Sequence, residues 1–110
     1  MSTLTVTQLS PTAADPGFVA AASGGDQFTI DGNTVLHVRN DSASEVTVTL
    51  ASQVTDDVGV LADDLDFAVP ASSERAVRLG NFAGRFRDTD GNCQVTYDAV
   101  TGLTVAVYRA

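Results

Sequence analysis

Residues 34–50 hold two runs in which apolar and polar side chains alternate, joined by a polar connector. Successive side chains of an extended strand point to opposite faces. Leu36 and Val38 therefore share one face, with His37 and Arg39 on the other, and Val46, Val48 and Leu50 oppose Thr47 and Thr49. Asn40, Asp41, Ser42 and Ser44 lie between the runs. Their side chains bond nearby backbone and tolerate left-handed conformations. The stretch predicts a half-buried β-hairpin.

The rest of the chain repeats this pattern in short pieces. Residues 1–9 alternate around Leu4 and Val6 and read as an extended arm or an edge strand, closed off by Pro11, Pro16 and Gly17. Residues 18–22 predict a turn of helix, ended by Ser23, Gly24 and Gly25. A strand over 27–30 leads into Asp31-Gly32-Asn33, read as a hairpin turn because glycine accepts positive φ at no steric cost. Beyond Leu50 the alternation loosens through residue 66, which predicts a long connection passing from one sheet to the other. Strands are expected around Phe67 and Val69, around Val77 and Leu79, over 93–97 and over 103–107. Turns fall at 70–73, 88–92 and 98–102, and a loop at 80–87. About eight short strands with almost no helical period predict an all-β fold, a two-sheet antiparallel β-sandwich of jelly-roll-like form. Residues 1–17 form the arm or edge strand and residues 18–110 the sandwich. The expected core is Leu36, Val38, Val46, Val48, Leu50, Phe67, Val69, Val77, Leu79, Val95, Leu103, Val105 and Val107.

Composition narrows the function classes. A chain of 110 residues can bury one core without a metal or disulfide staple, and the single Cys93 is read as part of it. The net charge is −8 and all six basic residues are arginine. No basic stripe exists to displace counterions from nucleic acid, so a nucleic-acid partner is not expected. No run approaches the ~20 apolar residues of a membrane span, and the N-terminus lacks the charged and apolar regions of a leader, so neither a membrane partner nor export is expected. Asp56, Asp57, Asp63, Asp64 and Asp66 cluster just before Arg75, Arg78, Arg85 and Arg87. Such opposed patches permit self-association.

Catalytic and metal readings find little support in the residues. His37, the single histidine, lies mid-strand and is read as facing solvent or a neighbouring subunit. No Gly-x-Ser-x-Gly elbow exposes a serine. The run 88–92 resembles part of a calcium loop, but the glutamate such a loop needs is missing and Ala99 stands in that region, so it reads as an ordinary turn. The aspartates at 56–66 read as a solvated loop. Asp63 and Asp64 would need a cleft to act as paired acids, and with no tryptophan there is no obvious platform for sugar stacking. The expectation is no catalytic residue, no cofactor and no metal. The loop 80–88 places Phe82 and Phe86 among Arg85 and Arg87, types enriched where proteins dock. These four are the candidate interface residues, and the competing reading has the phenylalanines folding inward to cap the sandwich.

Thr34-Val35-Leu36-His37-Val38-Arg39-Asn40, Glu45-Val46-Thr47-Val48-Thr49, Val69-Pro70-Ala71, Asn81-Phe82 with Phe86, Asp90-Gly91-Asn92-Cys93-Gln94-Val95-Thr96-Tyr97 and Leu103-Thr104-Val105-Ala106-Val107 together resemble small head-associated structural proteins of tailed bacterial or archaeal viruses. They look like capsid decoration proteins. The resemblance covers most of the chain after about Gly25 and implies a non-enzymatic sandwich that binds the outside of an assembled shell and reinforces it. It further implies the major capsid protein as partner, a homo-oligomer with a trimer favoured, and a place on the virion surface after assembly in the host cytoplasm. Two alternatives stand beside it: a head-to-tail or tail structural subunit of such a virus, and an adhesion or carbohydrate-binding module.

Overall fold

The structure, a computed structural model, describes residues 2–8, 17–53, 64–78, 80 and 85–109. Ten strands follow in chain order: β1 (Ser2–Thr3), β2 (Val6–Gln8), β3 (Val19–Ala20), β4 (Asp26–Thr29), β5 (Thr34–Asn40), β6 (Val46–Leu50), β7 (Leu65–Val69), β8 (Ser73–Arg78), β9 (Asn92–Tyr97) and β10 (Leu103–Arg109). They form two sheets packed face to face. The first has the order β1-β4-β9-β6-β7 and the second β2-β10-β5-β8, with β3 also paired to β10. Apart from the parallel pairs β1–β4 and β2–β10, every pairing is antiparallel. The all-β sandwich expected from the alternation is what the chain forms.

The alternation also gives the inward faces correctly. Leu36, Val38, Val46, Val48, Leu50, Val69, Val95, Leu103, Val105 and Val107 are all buried between the sheets, and Cys93 joins them. Phe67 and Val77 are half-buried against this core, while Leu79 lies outside the described residues. Each such side chain withdrawn from water contributes roughly 1.5–3 kcal/mol. Leu4, Ala21, Phe28, Ile30 and Phe86 belong to the core as well, and the expected set lacked them.

Four local expectations are corrected. The runs 34–40 and 46–50 are not a hairpin: β5 pairs with β10 and β8, and β6 pairs with β7 and β9. Their apolar faces look at each other across the core instead of lying side by side. Likewise Asp31-Gly32-Asn33 is a turn, with the Thr34 N–H donating to the Asp31 carbonyl at 3.3 Å, but it carries the chain from β4 in one sheet to β5 in the other. Conversely, the long connection after Leu50 returns to the same sheet, where β6 and β7 are antiparallel neighbours. Residues 18–22, expected as a turn of helix, contain β3 instead.

The crossing connections at one end are locked to each other. Asn40, the last residue of β5, is fully buried; its Nδ2 donates to the carbonyls of Ser44 at 2.8 Å, Val69 at 3.0 Å and Pro70 at 3.3 Å. Its Oδ1 accepts from the N–H and the hydroxyl of Ser42 at 3.0 and 2.6 Å. Ser72 donates its N–H to Ser42 O at 3.2 Å, and Asp41 donates to Gly102 O at 2.9 Å. Gly102 has φ of 70° and a Cβ there would meet Ser42 N at 3.1 Å, so this approach needs glycine. The passages 41–45, 70–72 and 98–102 are thus one hydrogen-bonded unit.

Candidate functional site

Period two places His37 and Arg39 on the outer face of the second sheet, and antiparallel register brings Glu74 and Tyr108 to the same face from the strands on either side. The His37 Nε2 lies 3.1 Å from Glu74 Oε1, and Nδ1 lies 3.1 Å from the Tyr108 hydroxyl. An ionised carboxylate can only accept, so Nε2 carries the proton and, in the neutral ring, Nδ1 accepts from the Tyr108 O–H. Arg39 Nε donates to the other Glu74 oxygen at 3.2 Å. Phe18 packs edge-on against His37 at 5.0 Å between centroids and lies under the Arg39 guanidinium at 4.2 Å. The Arg39 and His37 bonds hold the Glu74 carboxyl below its ordinary range.

This constellation resembles the base and orienting carboxylate of a hydrolase, but both ring nitrogens are already engaged. A general base needs a nitrogen directed at the proton it removes. The group therefore acts as a staple across β8, β5 and β10. His37 lies on the outer face, its side chain only 19% exposed beneath Phe18 and its polar partners.

A second polar pair is buried inside the sandwich. Asp26 faces inward from β4, and its Oδ2 accepts from the Tyr97 hydroxyl at 2.7 Å and from the Ala22 N–H at 3.2 Å. Burial first, and this hydrogen bond second, push the Tyr97 hydroxyl far above its ordinary pKa. Burial likewise pushes the Cys93 thiol up to about 12, with the Asp88 carboxylate adding to the effect. Such a thiol is not a nucleophile at neutral pH.

The turn at 88–92 is built around one carboxylate. Asp88 Oδ1 accepts from the N–H groups of Asp90 and Asn92, both at 2.9 Å, and Oδ2 accepts from Gln94 Nε2 at 2.8 Å. The Asn92 bond, followed by that of Gln94, lowers its pKa. These oxygens are occupied by the protein's own donors. Among the described residues no group of three or more His, Cys, Asp or Glu side chains is arranged to hold a metal ion. Asp56, Asp57 and Asp63 lie outside the described residues, Asp64 Oδ1 accepts from the Ser52 N–H at 2.8 Å, and Asp66 is exposed on β7.

Of the four candidate interface residues, the structure separates three and Phe82 lies outside the described residues. Phe86 is 4% exposed and packs into the core, so it is not a surface contact and follows the inward reading. Arg85 and Arg87 are exposed on either side of it. The segment is held by one backbone and one side-chain bond: Gln53 N–H donates to Arg85 O at 2.9 Å, and the Arg87 side chain donates from Nε to Ile30 O at 3.1 Å. Sequence reasoning could not divide the two readings, because an aromatic residue in a loop suits a core cap and an interface equally. It also missed the Phe18–His37–Glu74–Tyr108 grouping, whose only signal was that the outward positions of the central strand were not simple Thr or Ser.

Comparison of the chain with protein-family models, with curated proteins and with solved structures finds no match.

Proposed function

We propose that this chain is a structural subunit that works by docking, and that its partner is the major capsid protein on the outside of an assembled viral shell. The observation that carries this reading is the segment 85–87. Two exposed guanidiniums flank a buried phenylalanine on a protein of net charge −8. Anchoring by the Arg85 carbonyl and by Arg87 Nε presents this segment at little further entropic cost, and the remaining guanidinium N–H groups suit carboxylate-rich surfaces because they donate in a planar fork. In this reading the protein catalyses nothing, and its rigid sandwich reinforces the surface that it covers.

The strand order supports reading the sandwich as a jelly roll. From β4 to β10 the chain places β4-β9-β6-β7 against β10-β5-β8, with β2 and β3 beside β10, so the two sheets are wound over each other. The resemblance to head-associated viral proteins rests largely on the residues of β5, β6, β9 and β10, which hold most of the core.

The test is Arg85→Ala combined with Arg87→Ala, measured for melting temperature and for binding to undecorated capsids at low and moderate salt. The expected result is a folded protein with a modestly lower melting temperature, because the Arg87–Ile30 bond is lost, together with binding weaker by roughly tenfold and a shallower salt dependence. Undiminished binding at every salt concentration removes this end of the sandwich as the contact.

A further inference from the structure

We propose that two copies of this chain pair edge to edge through β8, antiparallel about a two-fold axis at Ala76, so that the second sheet runs on from one copy into the other. Among the described residues β8 ends its sheet, with only β5 as a neighbour, and at six residues it is the longest of the end strands. Its sequence, Ser-Glu-Arg-Ala-Val-Arg, has no proline or glycine to interrupt a ladder. Residues 74, 75, 76 and 78 are exposed.

The backbone set that faces the outer edge can be identified. In an antiparallel pair, successive residues direct their N–H and C=O groups alternately toward the partner and away from it. Asp41 donates to Gly102 O in register with the β5–β10 pairing, so the odd-numbered residues of β5 bond β10 and its even-numbered residues bond Ser73, Arg75 and Val77 of β8; Glu74, Ala76 and Arg78 therefore point to the outer edge. The Glu74 carbonyl accepts a bond at 2.8 Å from Nη1 of Arg75, and it exchanges this donor for a backbone N–H when two copies pair. A two-fold axis at Ala76 joins this set to itself. Ala76 then faces Ala76 of the second copy, and Glu74 faces its Arg78.

Side-chain chemistry selects this register. Glu74, Ala76 and Arg78 share the outer face, so the dimer sets a carboxylate opposite a guanidinium twice, once on each side of the axis. Glu74 keeps acceptor capacity beyond its bonds to Arg39 and His37. On the inner side Arg75 meets Val77 of the second copy, beside the depression lined by Leu65, Phe67 and Ala68. β7, which ends the other sheet, has no such complement: about its centre Phe67, Asp66 would face Ala68. The geometry gives a dimer, where the family resemblance implied a trimer, and it does not depend on a viral shell being the larger partner.

Sedimentation equilibrium over a range of concentrations, with circular dichroism as the folding control, reads the pairing. Wild type is expected as a reversible dimer. Arg78→Glu sets like charges opposite each other and weakens the dimer by on the order of tenfold, and Glu74→Arg does the same. An equimolar mixture of the two variants restores a dimer, because every introduced charge then meets its opposite. Should Glu74→Arg fail to fold, Ala76→Cys decides alone: it is expected to form a disulfide-linked dimer under mild oxidation, whereas Thr96→Cys on the other sheet remains a single chain. A wild type that is monomeric throughout, a dimer indifferent to Arg78→Glu, or an Ala76→Cys variant that does not cross-link overturns the proposal.

Discussion

Asp88 shows how much of this protein's polar chemistry serves the backbone. Its carboxylate closes the 88–92 turn and Asp31 does the same at 31–34, whereas Glu74 joins the side chains of Arg39 and His37; all three are held below their ordinary pKa. For Asp31 the leading cause is the Asn33 N–H, with Thr34 and Arg109 adding to it against some desolvation. A carboxyl whose folded pKa lies below its unfolded value adds stability above the unfolded value and loses it as the pH falls through the folded one. For Asp88 the window therefore opens at its ordinary 3.8 and extends downward. Melting curves from pH 6 to pH 3 should show wild type losing stability toward the acid end. Asp88→Asn should start lower at pH 6 and fall less steeply. Parallel curves for the two proteins would mean that Asp88 does not contribute to the acid response. The turn was legible in the sequence from its Asp and Gly content, whereas the choice between calcium ligand and backbone cap depended on Gln94, which period two alone does not bring to Asp88.

At the scale of elements, the crossings organise the fold, and Asn40 organises the crossings. Five polar contacts converge on one fully buried amide, which ties the end of β5 to the connector before β6 and to the end of β7. Asn40→Ala leaves carbonyls and an N–H buried without their partner, at ~1–3 kcal/mol for each group that water cannot reach. Chemical denaturation is expected to show a loss of about 3 kcal/mol. A loss within experimental error would mean that solvent satisfies the crossing. The sequence marked Asn40 only as a turn residue. A hairpin and a crossing between sheets present the same alternation, because period two reports the face of each residue and carries no information about which strand lies beside it.

On the scale of the whole molecule, the N-terminal segment decides how the sandwich is closed. β1 adds to one sheet beside β4, and β2 adds to the other beside β10; Leu4, between them, is 7% exposed and sits in the core. The Leu4 N–H also donates to Gln27 O at 2.8 Å. The segment therefore straps the two sheets together along one flank, while β7 and β8 are the end strands of the opposite flank among the described residues. Leu4→Ala, which removes apolar contact without touching the backbone pairing, should lower unfolding stability by about 3 kcal/mol. Stability equal to wild type would assign residues 2–8 to the role of an arm laid against a finished domain.

The sequence by itself determined the all-β class, the inward faces of β5, β6, β9 and β10 and most of the turns. These follow from local rules: the pleat alternates faces, and Gly, Asn and Asp relieve backbone strain at turns. Only the tertiary structure decided that β5 and β6 face each other across the core, that β6 and β7 are neighbours despite the long connection between them, and that Phe86 turns inward while Arg85 and Arg87 stay out. Hydrogen bonding in a sheet joins backbones that are alike from residue to residue. Partner choice is settled by which closure buries Phe28, Ile30, Leu4 and Phe86 together with the alternating valines, a property of the packed whole that no local window contains.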